Sequence, residues 1–184
     1  MKLIIFDVDG TLTPDNKSTR FESSVVETLI ALRGQDIALA LASNQGGVGL
    51  RHWIEAVGGF GTTPEEKAKS LASSQTYPTA QDAFTRLATI AGEVTTLSQL
   101  PCRIYTCYAY QSKAGNWSPT PAGSEDDPMW SREWRKPNAG MLLQAMQDVG
   151  ASTAGTLFVG DRDEDAGAAL AAGVQFVEAK EFFA

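Results

Sequence analysis

Two aspartates, Asp7 and Asp9, follow directly on an apolar run near the N-terminus, in the stretch LIIFDVDGTLT. The four consecutive large apolar residues 3–6 are typical of a strand that is buried on both faces. Carboxylates at the end of such a strand lose hydration and repel each other, so they need a cation, backbone amides or a helix start nearby. The alternative is an ordinary turn at Gly10, and the rest of the chain has to decide between a turn and a site.

Further polar residues follow two other apolar runs of the strand type. Ser43 and Asn44 end the run DIALALASN, and Asp161 and Asp165 come after the run TLFVG. Ligands of open parallel sheets bind beyond the carboxyl ends of the strands, so all these residues are expected to meet in one crevice. Several carboxylates together need a hard cation, and oxygen ligands of this kind suit Mg²⁺. The Ser43 hydroxyl, the neighbouring amides and the Lys136 ammonium would supply what a phosphate needs.

Apolar strands alternate with amphipathic helices along the chain, which predicts a parallel sheet flanked by helices. The stretch NQGGVGL after the second strand is interpreted as a Gly-rich turn, and HWIEAVGGF as a short helix. The other helices are expected at 21–35, in two stretches between 62 and 100, at 138–150 and at 164–173. The strands are expected at 3–6, 36–43, 102–110, 156–161 and 174–179. The prediction is a single α/β domain spanning residues 1–184, with a Rossmann-like core.

Residues 62–135 are predicted to form an insertion that ends in a substrate-facing loop. Its second part, 111–135, carries three Pro and three Trp. A loop of this length in a compact domain is usually functional or disordered, and the aromatic residues favour an ordered loop. Trp117, Trp130 and Trp134 either stack on a base or sugar of a ligand or pin the loop to the body.

Composition and charge exclude several classes of protein. The formal net charge of −7 argues against non-specific binding to nucleic acid or to anionic membranes. No apolar run approaches the roughly 18–20 residues of a membrane span, and the N-terminus lacks the pattern of a signal peptide. A cytoplasmic protein is therefore expected, in which Cys102 and Cys107 are reduced core residues.

Four motifs, DVDGTLT, LASNQGG, RKPNAGM and VGDRDEDAGAALAAGV, occur in the order that is typical of the haloacid dehalogenase (HAD) superfamily. The chain resembles this superfamily from residue 3 to about residue 177. More narrowly, it is similar to its nearly capless phosphatases, which are histidinol-phosphate phosphatase, heptose-bisphosphate phosphatase and the 3′-phosphatase of polynucleotide kinases. The resemblance implies a HAD-type core without a large cap domain, and with a loop or helical insertion between the second and third motifs. The resemblance also implies that Asp7 and Asp9 belong to a functional site and not to an ordinary turn.

The resemblance implies specific roles for the acidic residues. Asp7 would be the nucleophile that forms an aspartyl-phosphate, and Asp9 the general acid and then the base for the attacking water. The carboxylates of Asp7 and Asp161 and the carbonyl of Asp9 would hold Mg²⁺, with Asp165 bound directly or through water. Family members that transfer phosphate as ATPases can have Thr two residues after the nucleophile, so Asp9 favours hydrolysis.

The resemblance also implies which side chains contact the substrate. The transferring phosphoryl group would be bound by Ser43, Asn44 and Lys136. Substrate-facing roles are implied for Gln45, Arg135 and Arg162. For Arg162, the alternative is a salt bridge to a neighbouring acid such as Asp163 or Glu164.

The implied function is that of a Mg²⁺-dependent phosphomonoesterase acting on a small phosphorylated metabolite, either a nucleotide or a sugar phosphate. The alternatives are a DNA 3′-phosphatase, a catalytically silent phospho-ligand binding protein and a phosphotransferase. The histidinol- and heptose-phosphate enzymes commonly carry a zinc loop of three Cys and one His. Here the sole His is His52, far from Cys102 and Cys107, so no structural zinc is expected.

Overall fold

Five parallel strands form one sheet in the computed structural model of the protein, which describes residues 1–184. In chain order they are β1 (Leu3–Phe6), β2 (Ala38–Asn44), β3 (Cys102–Cys107), β4 (Thr156–Gly160) and β5 (Gln175–Glu178). Their order across the sheet is β3-β2-β1-β4-β5, with β1 at the centre. The predicted α/β, Rossmann-like fold is confirmed.

Seven helices connect the strands or extend from them. They are α1 (Ser23–Ala31), α2 (Gly46–Ala56), α3 (Pro64–Ser74), α4 (Ala80–Ser98), α5 (Gly140–Val149), α6 (Asp163–Ala172) and α7 (Ala179–Phe182). Thr63 and Thr79 start α3 and α4, because each hydroxyl accepts a hydrogen bond from the backbone of the first helical turn. None of the seven combines the length and the apolar character that a bilayer crossing requires.

The two faces of the sheet are covered by different helices. Ile4 and Phe6 of β1 point to one face, where they join the buried side chains of α1 and α4. Leu3 and Ile5 point to the other face and pack with α5 and α6. Burying a large apolar side chain stabilises a fold by about 1.5–3 kcal/mol, so β1, buried on both faces, anchors the whole molecule.

The predicted insertion 62–135 contains parts of different kinds. Helix α4 packs against α1 and β3, and its residues Leu87, Ile90 and Val94 are fully buried in the core. It is thus the crossover helix between β2 and β3. Helix α3 packs on α2 instead, and the loop 111–135 contains only two single turns of 3₁₀ helix.

The three tryptophans of the loop are all turned towards the body of the protein. Trp117 and Trp134 pack against the core on the α5 side of the sheet. The ring of Trp130 lies 5.5 Å from that of Tyr108 and 5.7 Å from that of His52, between centroids. Of the two interpretations of these residues, the structure shows the one in which they pin the loop.

Two predicted boundaries were wrong. The stretch NQGGVGL is not a turn, because α2 begins at Gly46, directly after β2. Glycine has a low helix propensity, but here small residues let α2 lie against the backbone of Tyr108 and Tyr110, which a side chain on Gly49 would meet. The third strand ends at Cys107 and not at residue 110, because the backbone N–H of Tyr108 turns away to bond Met129.

The two cysteines lie on opposite faces of β3. Cys102 packs against the core on the α1 side, and Cys107 is buried on the α5 side. Both thiols are free, and burial raises their pKa values to about 12 and about 11. Their side chains point in opposite directions, so they cannot share a metal ion.

Candidate active site

The carboxyl ends of the neighbouring strands β1 and β4 lie at one edge of the sheet, and the residues that follow them bring three acids together. Carboxylate oxygens of Asp7, Asp161 and Asp165 lie within 4.8 Å of one another. Asp7 and Asp165 are buried, whereas Asp161 is exposed. Two buried anions and one exposed anion at this distance form an oxygen-only site that is open to solvent on one side, which is the type of site that Mg²⁺ binds.

A buried lysine lies between two of these acids. The Lys136 ammonium is 2.5 Å from Asp7 Oδ1 and 2.6 Å from Asp165 Oδ1, and its side chain is 1% exposed. Burial works to lower the pKa of Lys136, but the two carboxylates outweigh it and raise this pKa. Burial raises the pKa of both Asp7 and Asp165, although Lys136 opposes the rise. One cation thus faces two buried acids, and a further cation would complete the charge balance.

Asn44 fixes the place of this lysine. Its Oδ1 accepts a hydrogen bond of 3.0 Å from the backbone N–H of Lys136, and its Nδ2 donates one of 3.0 Å to the carbonyl of the same residue. Asn44 was expected to contact phosphate. The structure shows its amide in a positioning role, in which the end of β2 holds the main chain that carries the ammonium. The contact with phosphate stays a prediction.

Asp165 organises the loop that follows β4. Its Oδ2 accepts hydrogen bonds of 3.2 Å from the backbone N–H groups of Asp161 and Arg162. Gly160 allows this close approach, because a Cβ there would lie 2.6 Å from the Cβ of Asp165. With its other oxygen on Lys136, Asp165 links the loop that carries Asp161 to the buried ammonium.

Asp9 lies beside the acidic cluster and has partners of its own. Its carboxylate is outside the group of three acids. One oxygen is 2.8 Å from the Arg86 guanidinium, and the other accepts a hydrogen bond of 3.1 Å from Gln45. Gln45 also donates to the buried hydroxyl of Ser43, at 2.8 Å. The predicted residues Asp9, Ser43 and Gln45 therefore form one hydrogen-bonded row at the site.

Arg86 is the site residue that the sequence analysis missed. It lies on α4, and the same guanidinium group that contacts Asp9 also donates to the carbonyls of Asp15 and Ser18, at 2.8 to 3.1 Å. Its side chain is 14% exposed. The only signal in the sequence is a lone arginine next to the core residue Leu87, and such a pattern is common in helices that have no catalytic role.

The two arginines that were predicted, Arg135 and Arg162, lie at the edge of the site. Arg135 donates a hydrogen bond of 3.0 Å to the carbonyl of Ala109, beside the first turn of α2. The side chain of Arg162 is 58% exposed, and its Nε is 3.8 Å from Asp161. The structure thus contains the alternative, a salt bridge of Arg162 to a neighbouring acid, and that acid is Asp161.

A cavity of about 790 Å³ opens next to Asp9. Asn44 and Gln45 lie on its side towards the acidic cluster, and Tyr77 and Tyr110 line it further out. The cavity thus lies directly beside the hydrogen-bonded row of Asp9, Gln45 and Ser43.

Comparisons with known proteins agree with this geometry. Residues 133–179 match the HAD-hydrolase-like family, a segment that includes Lys136, Asp161 and Asp165. No curated protein matches the chain. The chain is similar to the solved D,D-heptose 1,7-bisphosphate phosphatase from B. bronchiseptica in complex with magnesium and phosphate, with 21% identity and a TM-score of 0.59 over 96% of this chain and 79% of that one. It is also similar to a HAD-like phosphatase from Mesorhizobium loti, with 20% identity and a TM-score of 0.53 over 95% and 69%. The predicted resemblance to the HAD superfamily is confirmed, and at these identities the likeness shows the fold.

Proposed function

We propose that this chain, which has the fold of the HAD hydrolases, is a Mg²⁺-dependent phosphomonoesterase that acts on small phosphorylated metabolites through an aspartyl-phosphate. The observation that carries the proposal is the buried contact between Asp7 and Lys136, next to Asp161 and Asp165. A carboxylate repels a phosphate dianion, so this attack requires fixed positive charge beside the nucleophile. Two phosphatases of the same fold, one of them bound to magnesium and phosphate, support the assignment.

The acidic cluster fits a magnesium ion. Asp7 and Asp161 would hold it with their carboxylates, together with the carbonyl of Asp9, and Asp165 would contribute directly or through water. All these ligands are oxygens, and the carboxylate oxygens are close enough to share one ion. When bound, Mg²⁺ supplies positive charge that draws the phosphate to the nucleophile and stabilises the transferring oxygens.

The residues of the chain then carry the reaction in two steps. In the first step, a carboxylate oxygen of Asp7 forms a bond to phosphorus while the bond from phosphorus to the leaving oxygen breaks, and Asp9 gives that oxygen its proton. In the second step, Asp9 takes a proton from a water molecule that attacks phosphorus, and the bond to Asp7 breaks. Lys136 and the Ser43 hydroxyl contact the phosphoryl oxygens in both steps.

The test is phosphate release from a panel of phosphomonoesters, with and without Mg²⁺. We expect Asp7→Asn to reduce release to the background, since an amide is a poor nucleophile towards phosphorus. The matched control is Asp148→Asn, because Asp148 contacts Tyr105 away from the acidic cluster. Full activity of Asp7→Asn, or activity of the wild type that survives complete chelation, would contradict the proposal.

A further inference from the structure

The cavity beside Asp9 has a floor made of glycine backbone at the start of α2. A Cβ on Gly46 would lie 3.4 Å from the ring of Tyr110, and one on Gly47 would lie 3.8 Å from the ring of Tyr77 and 3.2 Å from Pro78. Successive helical residues point about 100° apart, so two aromatic rings flank the first turn on two different sides. A Cβ at either place would be in ordinary van der Waals contact with the ring. The tighter neighbours are Arg135 Nη1, 2.9 Å from a Cβ on Gly46, and Pro78 beside Gly47.

The aromatic walls are fixed before any ligand binds. Arg51 of α2 donates hydrogen bonds of 3.0 Å to the carbonyl of Tyr77 and to the side chain of Gln75. On the other side, the ring of Tyr110 packs on that of Trp53, with 6.5 Å between the centroids. Preorganised walls lose little conformational entropy when a flat group binds against them.

The polar lining consists mainly of uncharged groups. The lining includes Asn16, Gln45, Gln75 and Thr76. The Asn16 amide and the Oε1 of Gln45 make no hydrogen bond to the protein, whereas Gln75 is bonded to Arg51 and Thr76 to the carbonyl of Ser73. The hydroxyls of Tyr77 and Tyr110 make no hydrogen bond to the protein, so they are available to a ligand. Aromatic faces together with amide side chains are the chemistry that recognises a nucleobase, by stacking on its plane and hydrogen bonding to its edge.

The charged groups of the lining are already engaged, with one exception. Arg51 forms an ion pair with Glu55, and Asp82 caps α4 through Thr79. Only the ammonium of Lys17 lacks a partner at the rim. This lining has no group of cations for a second phosphate, which disfavours a sugar bisphosphate as the occupant.

The size of the cavity agrees with a large leaving group. Its volume of about 790 Å³ falls within the roughly 300–1,000 Å³ of pockets that enclose drug-sized ligands. A phosphorylated triose or polyol leaves most of this volume to water, whereas a nucleoside fills much more of it.

We propose that the cavity binds a nucleoside, so that the substrate is a phosphorylated nucleoside; this inference rests on the proposed phosphatase function. The base lies against Tyr77 and Tyr110, the amides contact its edge, and the phosphate reaches Asp7. The same chemistry is present in a free mononucleotide and in the phosphorylated end of a nucleic-acid strand.

The central comparison of the test is between a nucleoside 5′-monophosphate and ribose 5-phosphate, which lacks the base. Steady-state hydrolysis with Mg²⁺ is measured for nucleoside 5′- and 3′-monophosphates, ribose 5-phosphate, a 3′-phosphorylated oligonucleotide and acetyl phosphate. We expect KM for the best nucleotide to be about fivefold or more below KM for ribose 5-phosphate, since stacking of one base raises affinity by about fivefold to a hundredfold. A higher kcat/KM for the oligonucleotide than for the mononucleotides identifies the strand end as the source of the nucleoside.

Variants of the walls test the mode of binding. Tyr110→Leu is expected to raise KM for the nucleotide relative to KM for ribose 5-phosphate by about tenfold, whereas Tyr110→Phe, which keeps the ring, preserves the preference. The matched control is Phe84→Leu, which removes an exposed ring on α4 outside the cavity and should leave the ratio unchanged.

Failure of the inference differs from failure of the proposed function. Equal KM values for nucleotide and ribose 5-phosphate, with acetyl phosphate hydrolysed, overturn the nucleoside and leave the phosphatase intact. If the wild type hydrolyses nothing, the proposed function fails. Calorimetry with Mg²⁺ then measures separately whether the cavity binds a nucleoside monophosphate. Tighter binding of the nucleoside monophosphate than of ribose 5-phosphate, lost in Tyr110→Leu, supports the nucleoside site, and equal binding overturns it.

Discussion

At the scale of residues, the centre of the site is an ammonium shared by two carboxylates that are distant in sequence. Lys136 lies 129 residues from Asp7 along the chain, yet the two groups are 2.5 Å apart. The contact is buried, so each charged group has lost its hydration and is stabilised by its charged partners instead. The motifs and the strand ends predicted the members of this group, but the sequence could not show that Asn44 holds the main chain of Lys136.

Removing the ammonium is expected to destabilise the protein. Lys136→Met leaves Asp7 and Asp165 buried without a counter-charge, which costs about 3–5 kcal/mol when a buried pair is broken in this way. Urea denaturation of the metal-free protein measures the change in the free energy of unfolding. The control is Lys180→Met. Lys180 is exposed on the short helix α7, so its loss should change the free energy of unfolding little. Unchanged stability of Lys136→Met would show that the buried contact does not exist in solution.

Arg86 is expected to act on catalysis through Asp9. Arg86 contacts Asp9, the proposed acid and base, and bonds the loop after it at Asp15 and Ser18. Arg86→Met should therefore lower kcat by about tenfold to a hundredfold, which is part of what a positioned acid or base contributes. KM should change little, because Arg86 does not line the substrate cavity. The control is Arg103→Met, whose side chain is 54% exposed and contacts Asp148. A rise in KM at unchanged kcat would assign Arg86 to substrate binding instead.

At the scale of elements, the strands were easier to predict than helix α2, which lines the cavity beside Asp9. An apolar run such as LIIF has few alternatives to a buried strand. The start of α2 was predicted as a turn, because local glycine propensity opposes a helix there. The helix forms because small residues let it pack against the chain after β3, and this contact between distant segments cannot be read from local sequence.

Two glycines in helices should respond to alanine in opposite ways. A Cβ on Gly49 of α2 would lie 2.9 Å from the backbone nitrogen of Tyr110, whereas a Cβ on Gly92 of α4 meets nothing within 4 Å. Gly49→Ala is therefore expected to lower the free energy of unfolding by about 1–3 kcal/mol through overpacking. Gly92→Ala should raise it by about 0.5–1 kcal/mol, since alanine favours the helix. Denaturant titration measures the free energy of unfolding of both variants. Equal changes in the two would contradict the described packing of α2.

At the scale of the whole molecule, the sheet brings together groups from five distant segments. Asp7, Ser43, Arg86, Lys136 and Asp161 meet because β1, β2 and β4 are neighbours and α4 crosses beside them. The alternation of apolar strands and helices predicted this sheet, and the polar residues at the strand ends predicted its site edge. The motifs carried no information on α4, which supplies Arg86, or on the loops that shape the cavity, because such residues are not part of any local pattern.

Stabilisation by magnesium is expected to depend on pH. Burial raises the pKa of Asp7 and Asp165, so the metal-free folded protein binds protons more tightly than the unfolded chain. Its free energy of unfolding therefore falls as pH rises through the range between the ordinary and the raised pKa values. Magnesium needs the ionised carboxylates, so it should stabilise the fold by about 2.7 kcal/mol at a hundredfold excess over Kd near neutral pH, and by less at acidic pH. Thermal unfolding at several pH values measures both effects, and Asp161→Asn should weaken the stabilisation by magnesium.

The measurement that tests the central claim most directly is detection of phosphate on Asp7. Acetyl phosphate is mixed with the Asp9→Asn variant and Mg²⁺, the reaction is quenched in acid, and the modified residue is located by borohydride reduction and peptide mass spectrometry. Acetate needs no proton to leave, so this variant should form the aspartyl-phosphate and hydrolyse it slowly. We expect one phosphoryl group, on Asp7, and no modification of the double variant that carries both Asp7→Asn and Asp9→Asn. Phosphate release by the wild type without any modification of Asp7, and with activity retained in Asp7→Asn, would contradict it.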